Sequence, residues 1–279
     1  MARFFLLIVA LGALAACQLP ANLLTLATAT PDYHPPAEIA QLANAATMTD
    51  KARALFYATR PGIDDDRTVF EQHCQAPVSA TTVELGCYTT DNRIYILRIS
   101  PPQLSEMMVV TAAHEMLHAA YAQLAASDRA TLTNQLEAQV TQIHDGDLAQ
   151  ELRQYRVTEP GQRDNELHSI IGTEYAPLSP ALEQYYRQYF ANRMAVVNAA
   201  RQFNQTFAQL QATLDSVQAQ INTMRQQMDA DRRRGNVKAY NALVPKFNAL
   251  VQQYNQTVEQ YNALSRSLIG VEAPASTQQ

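Results

Sequence analysis

Between Phe203 and Leu268 the apolar residues recur at alternating steps of four and three, a pattern that leaves few folds open. Phe203, Phe207, Leu210, Leu214, Val217, Ile221, Met224 and Met228 form one stripe, and Tyr240, Val244, Phe247, Val251, Tyr254, Val258, Tyr261 and Leu268 form a second. A seven-residue repeat of this kind puts one narrow apolar seam along a helix, and the Gln, Asn and Ala between the stripes leave the other faces polar. Arg234-Gly235-Asn236 separates the stripes with turn formers, so the two helices should fold back as an antiparallel coiled coil. Pro245 sits early in the second helix and is expected to kink it or delay its start. The prolines at 177 and 180 mark where this part begins, giving a helical hairpin over 179–270 and a tail over 271–279. Tyr240, Tyr254 and Tyr261 suit a wet seam, and equally an interface with a protein partner or a second copy.

The other end of the chain has a different constraint. Arg3 is followed by the apolar run Phe4 to Ala16, which is short for a membrane span and right for the core of an export signal. Leu14-Ala15-Ala16-Cys17 resembles the lipobox of bacterial lipoproteins. That resemblance implies a signal peptide over 1–16, lipidation of Cys17, and an extracytoplasmic protein held on a membrane of the cell envelope, the outer one where the cell has two. A plain secretory signal or an uncleaved anchor is the alternative. Residues 17–36 are Ala-, Thr- and Pro-rich and read as a tether. In an oxidising compartment the remaining pair, Cys74 and Cys87, is expected to form one disulfide worth about 3 kcal/mol, with two buried free thiols as the alternative. The net charge of -5 is spread along the chain and no basic run exceeds Arg232-Arg233-Arg234, which argues against nucleic acid as a partner.

Residues 37–178 mix helical and strand signals, so the fold class is α+β. Ala37 to Thr59 reads as a helix broken near Thr47 to Thr49, with Thr49 able to cap the second piece, and Pro61-Gly62 ends it. Thr82 to Tyr88 and Arg93 to Ile99 are β-branched and aromatic and flank the turn formers Thr89 to Asn92, which predicts a β-hairpin. A long helix is expected from Pro101-Pro102 to Ala126, a second capped by Asp128 and ending near Ile143, a third over Asp147 to Arg156, and a fourth over Asn165 to Tyr175. Asp64-Asp65-Asp66 lacks the spacing of a calcium loop and reads as solvated surface.

The first of these long helices carries His114-Glu115-Met116-Leu117-His118. Residues four apart share a helix face, so the two imidazoles can meet one ion while Glu115 projects beside it. The flanking Val109 to Ala113 and Ala119 to Tyr121 are uncharged, so the helix should be buried, where such groups without a metal would be costly. Thr111 to His118 resembles the extended motif of the zincin metallopeptidases, and the Arg93 to Ile99 strand resembles their substrate-aligning edge strand. That likeness implies one zinc held by three protein ligands, with Glu115 taking the proton from an attacking water. No Gly and third His follow at the metzincin spacing. Asn165-Glu166-Leu167-His168-Ser169 resembles instead the ligand helix of the gluzincin branch, which makes Glu166 the expected third ligand, although Ile170 stands where that branch places an Asp behind a ligand His. Glu174, His168 and His144 are the other ligand candidates. His168, Tyr175 and Tyr121 are candidates for stabilising the developing oxyanion.

The reading is therefore a zinc metallopeptidase of the cell envelope acting on peptide or protein substrates. An amidase acting on peptidoglycan stem peptides would use the same chemistry. The competing class is a noncatalytic envelope scaffold that keeps its metal for stability and acts through the coiled coil.

Overall fold

The computed structural model describes residues 33–74, 84–158 and 161–269. The export signal, Cys17, most of the tether, the start of the Thr82 to Tyr88 strand and the 271–279 tail lie outside the described residues. The chain divides into two compact units within one long helix, after Phe203. Among the described residues no helix is long and apolar enough to cross a membrane.

The first unit opens with α1 (Ala37–Ala45) and α2 (Asp50–Ala58). The break falls where expected: Thr47 takes a positive φ of 52°, and the Thr49 hydroxyl caps α2 by accepting from the amide of Ala52. The Pro61-Gly62 stop then leads into elements the sequence pattern did not announce. β1 (Gly62–Asp64) is a three-residue strand and α3 (Arg67–Cys74) a short helix. The triple Asp serves both: Asp64 pairs with His73, Asp65 with Arg98, and Asp66 accepts from the Val69 amide at the start of α3. Arg98 also binds Glu38, which ties α1 to the end of the sheet.

The expected hairpin is present as β2 (Gly86–Tyr88) and β3 (Ile94–Leu97), antiparallel, with Asn92 at a φ of 61° in its turn. β1 joins β3 in parallel, giving the order β1-β3-β2. The Arg93 to Ile99 strand is thus the centre of the sheet and not its edge; the edge beside the histidine-bearing helix is β2. Cys74 and Cys87 are joined, linking α3 to β2.

That helix, α4, spans Met107–Ala122 and begins later than the prolines suggested. Residues 101–106 instead form turns closed by i to i+3 bonds such as Leu104 to Pro101 and Met107 to Leu104. Every side chain from Met107 to Ala120 is buried, because α4 packs against α1, α2, β2, β3 and most extensively α7. α5 (Ala126–Val140) has Ala125 at its N-cap, which places Asp128 inside its first turn and not at its cap. α6 (Gly146–Thr158) and α7 (Arg163–Glu174) follow. α8 (Pro180–Tyr186) and the start of α9 (Arg193–Arg233) belong with this unit. Phe190 bridges to Met48, the Tyr186 hydroxyl donates to the His168 carbonyl at 2.7 Å, and Arg193 donates to the carbonyls of Gly172 and Tyr175 while pairing with Glu183.

The second unit is the remainder of α9 and α10 (Val237–Ile269). Gly235, at a φ of 67°, ends α9 with the paired bonds Asn236 to Asp231 and Gly235 to Arg232, and the Asn236 side chain then caps α10 through the Ala239 amide. The heptad stripe is the less exposed face: Phe207, Val217, Ile221, Met228 and Leu268 are all below a tenth exposed, the other stripe residues of this unit are half-buried, and Phe207 meets Tyr261 edge to face. Pro245 lies inside α10, which nevertheless starts at Val237.

Close approach of α4 and α7 depends on Gly172. A Cβ there would come within 2.6 Å of both Leu117 Cδ1 and Tyr186 Cε1, and the Tyr186 ring is tethered by its hydroxyl. Gly172→Ala should lower stability by about 1–3 kcal/mol, read as a fall in the urea midpoint at unchanged slope.

Candidate metal centre

Face-to-face burial of α4 and α7 brings four of the singled-out residues together. His114, Glu115, His118 and Glu166 are each 0% exposed. The two imidazoles stand edge to face with centroids 4.7 Å apart, as expected for residues one turn apart on α4. Glu166, in the first turn of α7, reaches both: its Oε2 lies 3.5 Å from His114 Nε2 and its Oε1 3.5 Å from His118 Nε2.

These separations are not ordinary ion pairs. Burial holds the imidazoles neutral, lowering the pKa of His114 to about 3. It takes His118 to about 4, with His114 adding to the effect and Glu166 and Asn165 opposing it. At 3.5 Å a nitrogen and an oxygen are also beyond good hydrogen-bond range. Both ring nitrogens of His114 lack a hydrogen-bond partner, and His118 Nε2 makes no bond of ordinary geometry, although the Asn165 side chain is close enough to raise its pKa. Polar atoms buried in this state are rare and costly, and a bound cation is the simplest group that would satisfy them. One donor atom each from His114, Glu115 and His118 lie within 4.8 Å of one another, and this group could hold a metal ion.

His118 is oriented from behind. Its Nδ1 is 3.3 Å from the Ser169 hydroxyl on α7, leaving Nε2 toward Glu166. Position 170, by contrast, is a buried isoleucine. The polar contact to His118 comes from the residue before Ile170, a hydroxyl and not a carboxylate.

Glu115 also meets the sheet edge. A Cβ on Gly86 would fall 2.8 Å from Glu115 Oε1 and 2.3 Å from Thr111 Cγ2, so only glycine lets β2 lie this close. Burial raises the Glu115 pKa well above its usual value, the carboxylates of Glu166 and Glu84 raise it further, and the Tyr88 backbone acts against them.

The remaining candidates are placed elsewhere. His168 is buried, but two residues past Glu166 its ring lies with tyrosines: Nε2 is 3.1 Å from the Tyr185 hydroxyl, and the ring stacks on Tyr186 and leans on Tyr121. Tyr175 donates to Asp145 at 3.2 Å. Glu174 has Asp145 as the charge acting on it, and His144 is exposed between α5 and α6. Ser169 and Gly86 were not singled out from the sequence; a Ser beside the Asn-Glu pair and a Gly in a predicted strand were the available signals.

Comparison with family models, with curated proteins and with solved structures gives no match. The reading of this centre rests on its own geometry.

Ser169→Ala should weaken metal binding by about 10–100-fold without unfolding the chain, measured by competition with a chromophoric chelator. A separate expectation concerns Glu174, whose carboxyl burial raises to about 8 from its usual 4.5, with Asp145 adding to the shift. The folded chain then keeps a proton that the unfolded chain releases, so this group makes stability fall as pH rises between those values. His114 and His118 act in the opposite sense, but only below about pH 6.5. Glu174→Gln should therefore gain on the parent protein as pH rises from about 6.5 to 8, compared by urea denaturation.

Proposed function

We propose that the chain is a zinc-dependent metallopeptidase, with His114, His118 and Glu166 as ligands and Glu115 as general base. The observation that carries this reading is the pair of 3.5 Å separations from Glu166 to the two Nε2 atoms. Ligand atoms about 2.0–2.2 Å from a tetrahedral zinc stand about 3.4 Å apart, so the spacing fits a ligand set and is too wide for a hydrogen bond. Glu166 is preferred to Glu115 as the third ligand because its two oxygens approach the two imidazoles alike, while Glu115 meets Gly86. Two neutral imidazoles and one carboxylate are also the donors zinc favours in catalytic sites, where a fourth position stays open.

When bound, zinc supplies Lewis acidity, acidifying water and polarising the scissile carbonyl. The chain does the rest. His114, His118 and Glu166 hold the ion, and Ser169 fixes the His118 tautomer. Glu115 accepts the proton of the attacking water and returns it to the leaving amine, a task suited to a carboxyl whose pKa burial raises. The lipobox-like Leu14 to Cys17 supports a lipid-anchored enzyme of the cell envelope, with peptides or proteins there as substrates.

Full burial of all four groups favours a second reading, in which the ion is structural and the chain is a scaffold. Glu115 discriminates between them, because a structural site needs no base. The purified protein should carry one zinc and cleave a peptide library, and Glu115→Gln should keep the metal while losing about 10²–10⁴-fold in rate. Metal with no cleavage by the parent on any peptide would favour the scaffold; failure of Glu166→Ala to lower metal content would remove the ligand assignment.

A further inference from the structure

We infer that the first unit carries a second ligand site, a pocket between α2, α5 and α8 suited to a short neutral saccharide. The pocket has a volume of about 510 Å³, within the range of small-molecule sites, and none of its lining residues belongs to the metal centre. The inference does not depend on the metallopeptidase reading.

The lining argues for the ligand class. Tyr185 and Tyr189 both line it and meet edge to face at 5.5 Å, so its wall includes aromatic ring surface held in place by ring contacts. Around it stand Gln135, Gln184 and Gln188. Each primary amide presents an acceptor and two donors, the mixed complement that ring hydroxyls and acetamido groups require. The charged groups cancel: Asp128 opposes Lys51, whose ammonium already donates to the Gln188 side chain at 2.8 Å and sits 4.9 Å over the Tyr189 ring. A strongly charged ligand has nothing here to select it. An extended peptide would need a free backbone edge, whereas α2, α5 and α8 spend their backbone groups on helical bonds. A sugar ring, apolar on its C–H faces and polar at its rim, matches an aromatic face ringed by amides.

The test uses the full chain in detergent, titrated calorimetrically with N,N′-diacetylchitobiose, cellobiose and trialanine. Either disaccharide should bind with a Kd of about 0.1–1 mM. Gln135→Ala with Gln184→Ala should weaken binding at least about tenfold while leaving zinc content unchanged. Circular dichroism of the double variant checks folding; should it fail to fold, the exposed Thr131→Val is titrated in its place and should also weaken binding. Absence of heat with both disaccharides, saccharide binding that the variants do not change, or binding of trialanine alone would overturn the proposal. Because neither disaccharide is a peptide and zinc is read separately, a failed peptidase assay leaves this result independent.

Discussion

Ionisable groups buried between α4 and α7 set the terms for the rest of the first unit. Two imidazoles and two carboxylates at 0% exposure are costly in an apolar interior unless something compensates them. They can be held there only because the surrounding helix is apolar on all sides and clamped by many neighbours. Gly172 lets α7 approach α4, and the Tyr186 hydroxyl and the Arg193 guanidinium anchor the backbone of α7 from behind. The early part of α9 thus supports this centre, since Arg193 grips the helix that carries Glu166. Metal affinity and folding stability should be linked in such a site, because the same contacts that position the donors are those an ion would reward.

Much of this was legible in the sequence, for reasons that differ by element. The histidine spacing showed because helix periodicity is local, and Glu166 because its neighbours resemble a known ligand helix. The heptad stripe showed too, its residues being buried or half-buried, since a seam of this kind depends on few long-range contacts. β1 did not show. Three residues are too few to display alternation, and its pairing with β3 joins segments far apart in sequence. That omission had a consequence, because β3 was taken for an edge when β1 in fact covers it. The late start of α4 had a different cause: Pro101-Pro102 is compatible with a first helical turn, but the chain closes two tight turns before the helix begins.

The site residues that remained hidden are those whose role is set by tertiary distance. Ser169 is an ordinary helical serine until α7 is placed against α4 and its hydroxyl meets His118. His168 illustrates the converse. It sits in the most suggestive stretch of the chain, yet on α7 a residue two positions from Glu166 points to a different face, here the cluster of Tyr121, Tyr185 and Tyr186. Its neighbours on that face lead to the pocket of Tyr185 and Tyr189, which no local motif foreshadowed because its lining comes from three helices.

Burial sets a condition on the proposed reading of this centre, and Gly86 is where that condition is felt. On the proposed peptidase reading, Glu115 is a base perturbed by burial, and a scissile carbonyl would also have to reach it. On the sheet side the nearest approach to Glu115 is made by the backbone of β2, at a residue where any Cβ would collide with the base itself. β2 is also an edge of the sheet, and through Cys87 it is bonded to α3. An edge strand has backbone groups with no strand partner on one side, so it can respond to what binds beside it more readily than a central strand can. A displacement of β2 would therefore bear first on Glu115, whereas His114, His118 and Glu166 are carried by the packed pair α4 and α7.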